Sequence, residues 1–230
     1  MKTDHLHYGP WEWAVRLRGI ENLLYDVVDR PQFVHRLMDH ITTGLVAYHR
    51  QREAAGAYDA EASLGLHQPY DEIPASLRHK LEGGWVYCHA QSAASLSPAM
   101  YAEFVHPYNE RIAALFRRVY YHGCENLNKK AGIIAQLPGL RHFHVSPWTD
   151  PEEVIPQLAG RTVVLEVHCH PTNVLFLYDP AEIRQEIRWR IARSQGAVFD
   201  LKLCDIQTIE GAENKLSLWS TIAQEESGRQ

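Results

Sequence analysis

The chain has few cysteines and no long apolar run, and each of these absences excludes a class of protein. Its 230 residues contain four cysteines, spread from Cys88 to Cys204. Because the disulfide framework of a small secreted domain is denser than this, we expect reduced thiols and a cytoplasmic protein. No run of about 18 apolar residues is present, so no transmembrane helix is expected. The first residues also lack the apolar core of a signal peptide.

Charge is not concentrated in any block of the chain. The formal net charge is −5, and the Lys and Arg residues are not clustered, which argues against nucleic acid as a partner. Hydrophobic residues make up 45% of the chain, enough for the core of one domain over residues 1–230. We therefore expect a small-molecule substrate, and no contact with nucleic acid or membrane.

Strand-like and helix-like segments alternate along the chain. Patterning predicts strands at residues 60–66, 85–90, 118–121, 141–145, 162–167 and 197–203. It predicts helices at 11–29, 31–52, 99–116, 128–137, 151–158, 180–194 and 212–225, with a kink or break at Pro107. Such alternation predicts an α/β fold with a parallel sheet, of (β/α)8 TIM-barrel type. Because a closed barrel usually needs about 250 residues, five or six strands predict an incomplete barrel.

A His-x-Cys pair follows one of these strands. His122 and Cys124 come directly after the strand at 118–121, and Cys204 follows the strand at 197–203. In α/β barrels the active groups lie at the carboxyl ends of the strands. One imidazole and two thiolates suit a zinc ion with one position left open for a substrate. We therefore predict zinc bound by His122, Cys124 and Cys204.

Other polar residues near strand ends are alternatives for the site. Glu125 is the carboxylate next in line after Cys124, so it is the candidate catalytic residue and could occupy the open zinc position. His168 and His170 face the same side if their strand continues that far. Either of them could replace Cys204 as a ligand, or both could line the pocket. With Gln91, they are the candidate residues for binding substrate or cofactor. An ordinary buried cysteine or a hydrogen-bonded histidine is the competing interpretation throughout.

Several segments together resemble the uroporphyrinogen decarboxylase superfamily. They are residues 18–26, 30–38, 97–108 and 121–125. The resemblance is closest to the methyltransferase-type branch, whose members are (β/α)8 barrels, several of them with zinc on a His-x-Cys pair and a distant Cys. Family members are usually longer, so we expect this chain to correspond to their C-terminal portion. The Arg-containing N-terminal segment that binds substrate carboxylates in true decarboxylases has no evident counterpart here.

The resemblance implies a reaction as well as a fold. Members of the methyltransferase branch move methyl groups between a corrinoid protein and a thiol such as coenzyme M. We therefore expect zinc as cofactor and a corrinoid protein as partner. Two alternatives stay open. One is a decarboxylase that acts on a tetrapyrrole without metal, and the other is a non-catalytic barrel fragment that completes itself as a homo-oligomer.

Overall fold

The computed structural model describes residues 9–60, 73–203, 206–209 and 211–228. The helices are α1 Pro10–Arg18, α2 Ile20–Asp29, α3 Pro31–Ala54, α4 Pro98–Phe104, α5 His106–Ala113, α6 Ala131–Ile134, α7 Pro151–Val154, α8 Pro180–Arg193 and α9 Glu213–Ser227. The strands are β1 Trp85–His89, β2 Arg118–His122, β3 Leu140–Val145, β4 Val164–His168 and β5 Val198–Lys202. Within the described part of the chain, no helix is both long and apolar enough to cross a membrane.

The strands form one parallel sheet in the order β1-β2-β3-β4-β5. In β2, Val119 and Tyr121 alternate with Tyr120 and His122, because successive side chains of a strand point to opposite faces. Tyr121 faces the helices, and its hydroxyl lies 2.6 Å from that of Tyr101 in α4. The prediction of an α/β fold of partial TIM-barrel type is confirmed.

The chain is divided into two compact units. The first contains the described residues up to Gly123 together with Lys129–His142, and the second contains Cys124–Asn128 and the described residues from Phe143 onward. In the first unit, fully buried side chains of α1, α2 and α3 form a core, among them Trp11, Leu23 and Met38.

The core of the second unit lies between the sheet and helices α8 and α9. It contains Cys169, Val174, Ile183, Ile187, Ile191 and Ile222. The partly buried Phe199 and Leu201 of β5 pack against this cluster. Asp200 and Lys202 alternate with them along the strand, so they point to the opposite face of the sheet.

Several helices differ from the prediction, while the strands agree closely with it. The helix predicted at 11–29 is broken by Gly19, whose φ of 81° lies in the left-handed region. The break expected near Pro107 occurs at Val105, between α4 and α5. The helix predicted at 128–137 is reduced to the single turn α6. A π-helical turn, Asn173–Leu177, was not predicted. The strand predicted at 60–66 lies almost entirely outside the described residues.

Candidate functional site

His122, the last residue of β2, lies on a face of the sheet that carries rings rather than aliphatic side chains. Its imidazole stacks on the ring of Tyr87, with centroids 5.3 Å apart, and meets Tyr120 edge-on at 5.9 Å. The ring of His142 lies 4.7 Å from that of Tyr120. Parallel pairing of β1 and β2 produces this stack, because it sets Tyr87 beside Tyr120 and His89 beside His122. The first unit therefore presents imidazole and phenol groups where His122 ends its strand.

The segment Cys124–Asn128 is held in place by the turn that follows β3. The backbone carbonyl of Glu125 accepts hydrogen bonds from the hydroxyls of Ser146, at 3.0 Å, and Thr149, at 3.1 Å. The Thr149 hydroxyl oxygen in turn accepts from the backbone N–H of Leu127 at 3.0 Å. Ser146 and Thr149 are both buried. The backbone around Cys124 is therefore fixed by interior hydrogen bonds.

Helix α8 also holds the turn that follows β3. The buried guanidinium of Arg190 donates to the backbone carbonyl of Pro147 at 2.8 Å. Arg193 donates through Nε to Asp150 Oδ1, also at 2.8 Å. Asp150 also caps α7 by accepting from the backbone N–H of Glu152. The hydrogen bond from Arg193 lowers the pKa of the Asp150 carboxyl below its ordinary value of 3.8.

A buried network of charged and imidazole groups lies on β3, β4 and β5 of the second unit. His168 Nε2 donates to Glu166 Oε1 at 2.9 Å, and His144 Nδ1 lies 3.7 Å from the same oxygen. The two imidazole centroids are 4.1 Å apart. The other carboxylate oxygen of Glu166 forms an ion pair with Lys202, whose Nζ is 3.9 Å from Asp200 Oδ2. The buried Glu166 carboxylate therefore joins two buried imidazoles to the ammonium of the partly exposed Lys202.

His170 lines a cavity of about 460 Å³ in the second unit. The other residues that line it are Pro147, Asn173, Tyr178, Glu182, Gln185, Glu186, Trp189 and Arg190. The backbone N–H of His170 donates to Glu186 Oε1 at 3.0 Å, and its ring meets Trp148 edge-on at 5.4 Å. The volume is within the usual range for small-molecule sites.

The described cysteines differ in how far they are buried. Cys88 and Cys169 are buried, whereas Cys124 is only half-buried. Burial raises the pKa of the Cys88 thiol to about 12. Burial, followed by the nearby Glu186 carboxylate, raises the pKa of Cys169 to about 12 as well. Both buried thiols therefore keep their protons at neutral pH, which makes them poor nucleophiles.

The structure describes two of the three residues that are predicted to bind zinc. His122 ends β2 in the first unit, Cys124 begins the 124–128 segment of the second, and Cys204 lies outside the described residues. The set of three ligands stays a prediction. So does the catalytic role of Glu125, whose side chain is half-buried.

The predicted substrate- and cofactor-binding residues have contrasting surroundings. His168 is buried against Glu166, His170 lines the cavity, and Gln91 is exposed at the start of a short 3-10 turn. Their binding roles stay predictions. The sequence indicated neither Glu166 and Lys202 nor the hydroxyls of Ser146 and Thr149. The two ionic residues lie 36 positions apart in the chain, and no local pattern links them.

Comparison with known families gives a match over about half of the chain. The family model described as "Uroporphyrinogen decarboxylase (URO-D)" matches residues 83–201. That range includes all five strands except the last residue of β5. It also includes His122, Cys124 and the Glu166 network apart from Lys202. A sequence comparison with curated proteins gives no match.

Among solved structures, the chain resembles a methyltransferase from Methanosarcina mazei. The TM-score is 0.60 and the sequence identity is 14%. The alignment covers 93% of this chain and 56% of that one. The chain thus spans little more than half the length of the methyltransferase it resembles. At this identity the similarity concerns the fold.

Proposed function

The chain belongs to the uroporphyrinogen decarboxylase (URO-D) family, and on that premise we propose that it is a zinc-dependent methyltransferase. It would transfer a methyl group from a corrinoid protein to a thiol acceptor. The observation that carries the proposal is the His122-x-Cys124 pair at the carboxyl end of β2, within the segment that matches the family. A methyltransferase of this fold among the solved structures supports the same assignment.

The chemistry of the donor set fits zinc. Two thiolates and one imidazole are ligands that zinc accepts in catalytic sites, where a further position stays open. Of the cysteines that the structure describes, Cys124 is the one whose thiol is not deeply buried. We therefore assign the metal to His122 and Cys124, with Cys204 as the third ligand. When bound there, zinc would lower the pKa of an acceptor thiol so that a thiolate exists at neutral pH.

The chain's own residues would orient and support this site. Ser146 and Thr149 hold the carbonyl next to Cys124 and so limit the movement of its thiol. Glu125 supplies a carboxylate beside the site, which we assign to the remaining position in the absence of a thiol. In the overall reaction a sulfur–carbon bond forms and the cobalt–carbon bond breaks, with its electron pair left on cobalt. The acceptor thiol loses its proton.

An assay of methyl transfer tests the proposal. Zinc-loaded protein would be mixed with methylcobalamin as donor and coenzyme M as acceptor, and the loss of the methyl–cobalt absorption would be followed. We expect transfer above the protein-free rate. We expect Cys124→Ser to lower the rate by about 100-fold or more, since a hydroxyl is a much weaker zinc ligand than a thiolate.

Cys88→Ser is the matched control, because its thiol is buried and keeps its proton. This variant should retain the parent's rate once circular dichroism shows that it is folded. Equal rates for Cys124→Ser and the parent, or no transfer by the parent, would contradict the proposal. Release of CO2 from uroporphyrinogen by the parent would instead favour the tetrapyrrole decarboxylase. Inactivity in both assays, together with self-association on size exclusion, would favour the non-catalytic fragment.

A further inference from the structure

Three buried side chains of the second unit converge on one point. They are His144 from β3 and Glu166 and His168 from β4, and each is at most 3% exposed. Each contributes one ligand atom, and these atoms all lie within 4.8 Å of one another. We infer that this triad binds a divalent transition-metal ion. None of the three ligands assigned to the proposed methyl-transfer site, His122, Cys124 and Cys204, belongs to this triad.

The distances within the triad are close to those of a coordinated ion. With bonds of about 2.0–2.1 Å, two ligand atoms of a tetrahedral zinc site lie roughly 3.3 Å apart. Glu166 Oε1 is 2.9 Å from His168 Nε2 and 3.7 Å from His144 Nδ1, so these two separations bracket that value. The third pair of ligand atoms, on His144 and His168, lies within 4.8 Å.

The kinds of ligand atom determine which metal ions the triad can bind. Two imidazole nitrogens and one carboxylate oxygen suit zinc, iron(II), cobalt(II) or nickel(II), whereas calcium and magnesium prefer oxygen ligands alone. No thiolate takes part. Three protein ligands leave at least one position for water or a substrate atom. The site would therefore be spectroscopically distinct from a site that contains Cys124.

Lys202 explains how the carboxylate is stabilised when no metal is bound. A buried carboxylate needs a cation or several hydrogen-bond donors close by. The Lys202 ammonium pairs with Glu166 Oε2, which leaves Oε1 facing the two imidazoles. The Lys202 side chain is 26% exposed, and Asp200 Oδ2 is only 3.9 Å from its Nζ. Lys202 can therefore turn toward Asp200 as an ion arrives, because a cation beside a metal ion is repelled.

This arrangement makes the ammonium and the metal ion competitors for Glu166. If the network is purely structural, Lys202 stabilises it and metal binding adds no stability. A metal site would bind its ion more tightly once the ammonium is removed. Lys202→Met keeps most of the length of the side chain and removes the charge, so it separates the two interpretations.

The test is a titration of metal-stripped protein with Co²⁺ in the Cys124→Ser background. That substitution removes a thiolate ligand of the other proposed site. We expect one Co²⁺ per chain, with visible d–d absorption and no thiolate-to-metal charge-transfer band. His168→Ala should weaken binding by about 100-fold or more, and Lys202→Met should strengthen it by about tenfold. His40→Ala, at an exposed histidine of α3 outside the triad, should leave binding unchanged.

Any one of three results would overturn the inference. These are an absence of Co²⁺ binding, binding that His168→Ala does not weaken, and binding that Lys202→Met leaves unchanged or weakens. If His168→Ala does not fold, Glu166→Gln keeps the shape of the side chain and takes its place. Failure of this titration would leave the methyltransferase proposal untouched, since the Cys124 site has already been disabled.

Discussion

At the residue scale, the carbonyl of Glu125 is the acceptor that anchors the segment carrying Cys124. Two hydroxyls donate to it, and one of them, that of Thr149, also accepts from the backbone N–H of Leu127. Leu127 and Thr149 are both buried. Losing the Thr149 hydroxyl would leave a buried N–H without its acceptor, which costs more than losing a solvent-exposed hydrogen bond.

We predict that Thr149→Val lowers the free energy of unfolding by about 1–3 kcal/mol. It should also increase amide hydrogen exchange at residues 124–128 and weaken zinc binding by about tenfold, since groups that support metal ligands have effects of that size. Thr221→Val is the control. Its hydroxyl bonds to the Ser217 carbonyl on the exposed side of α9, so its effect should stay within about 0.5 kcal/mol. If Thr149→Val and Thr221→Val lowered the free energy of unfolding equally, the turn after β3 would not support residues 124–128.

At the element scale, helix α8 stabilises the turn between β3 and α7 through two arginines. Arg190 bonds to the Pro147 carbonyl, and Arg193 pairs with Asp150. The pKa of Asp150 is lowered, chiefly by Arg193. The ionised carboxylate is therefore favoured in the folded protein. Its contribution to stability is present above the ordinary pKa of 3.8 and is lost as the pH falls through the folded value.

We predict that Asp150→Asn lowers the free energy of unfolding by about 1 kcal/mol at pH 7. The difference between parent and variant should shrink as the pH falls from about 5 to below the lowered pKa, because the asparagine does not titrate. Chemical denaturation at several pH values measures this. In an Arg193→Met background the pH dependence of the difference should largely disappear. A difference that stays constant down to acid pH would show that the ion pair does not stabilise the turn.

At the scale of the whole molecule, the strands could be predicted from the sequence and much of the site could not. Runs such as Val119-Tyr120-Tyr121 have the composition of buried strands, so β1 to β5 were predicted to within about two residues. The helix expected from Asn128 begins only at Ala131, and the Asn128 side chain accepts a hydrogen bond from the backbone N–H of Asp150. That partner is 22 residues away, so no local pattern reveals it.

The partners of Glu166 could not be predicted from a local sequence pattern either. A glutamate within the strand predicted at 162–167 gives no local indication of its partner, because Lys202 arrives on another strand. The His122-x-Cys124 pair is a local pattern, and it was found from the sequence. Its third ligand depends on a residue eighty positions further along, and the assignment of Cys204 stays a prediction.

Zinc K-edge X-ray absorption tests the central claim most directly. The measurement would use zinc-loaded Glu166→Gln protein, so that the triad of the second unit does not contribute. A site formed by His122, Cys124 and Cys204 predicts one zinc per chain, with two sulfur ligands at about 2.3 Å and one nitrogen at about 2.0–2.1 Å. Protein that binds no zinc, or a zinc spectrum with nitrogen and oxygen ligands alone, would contradict the account.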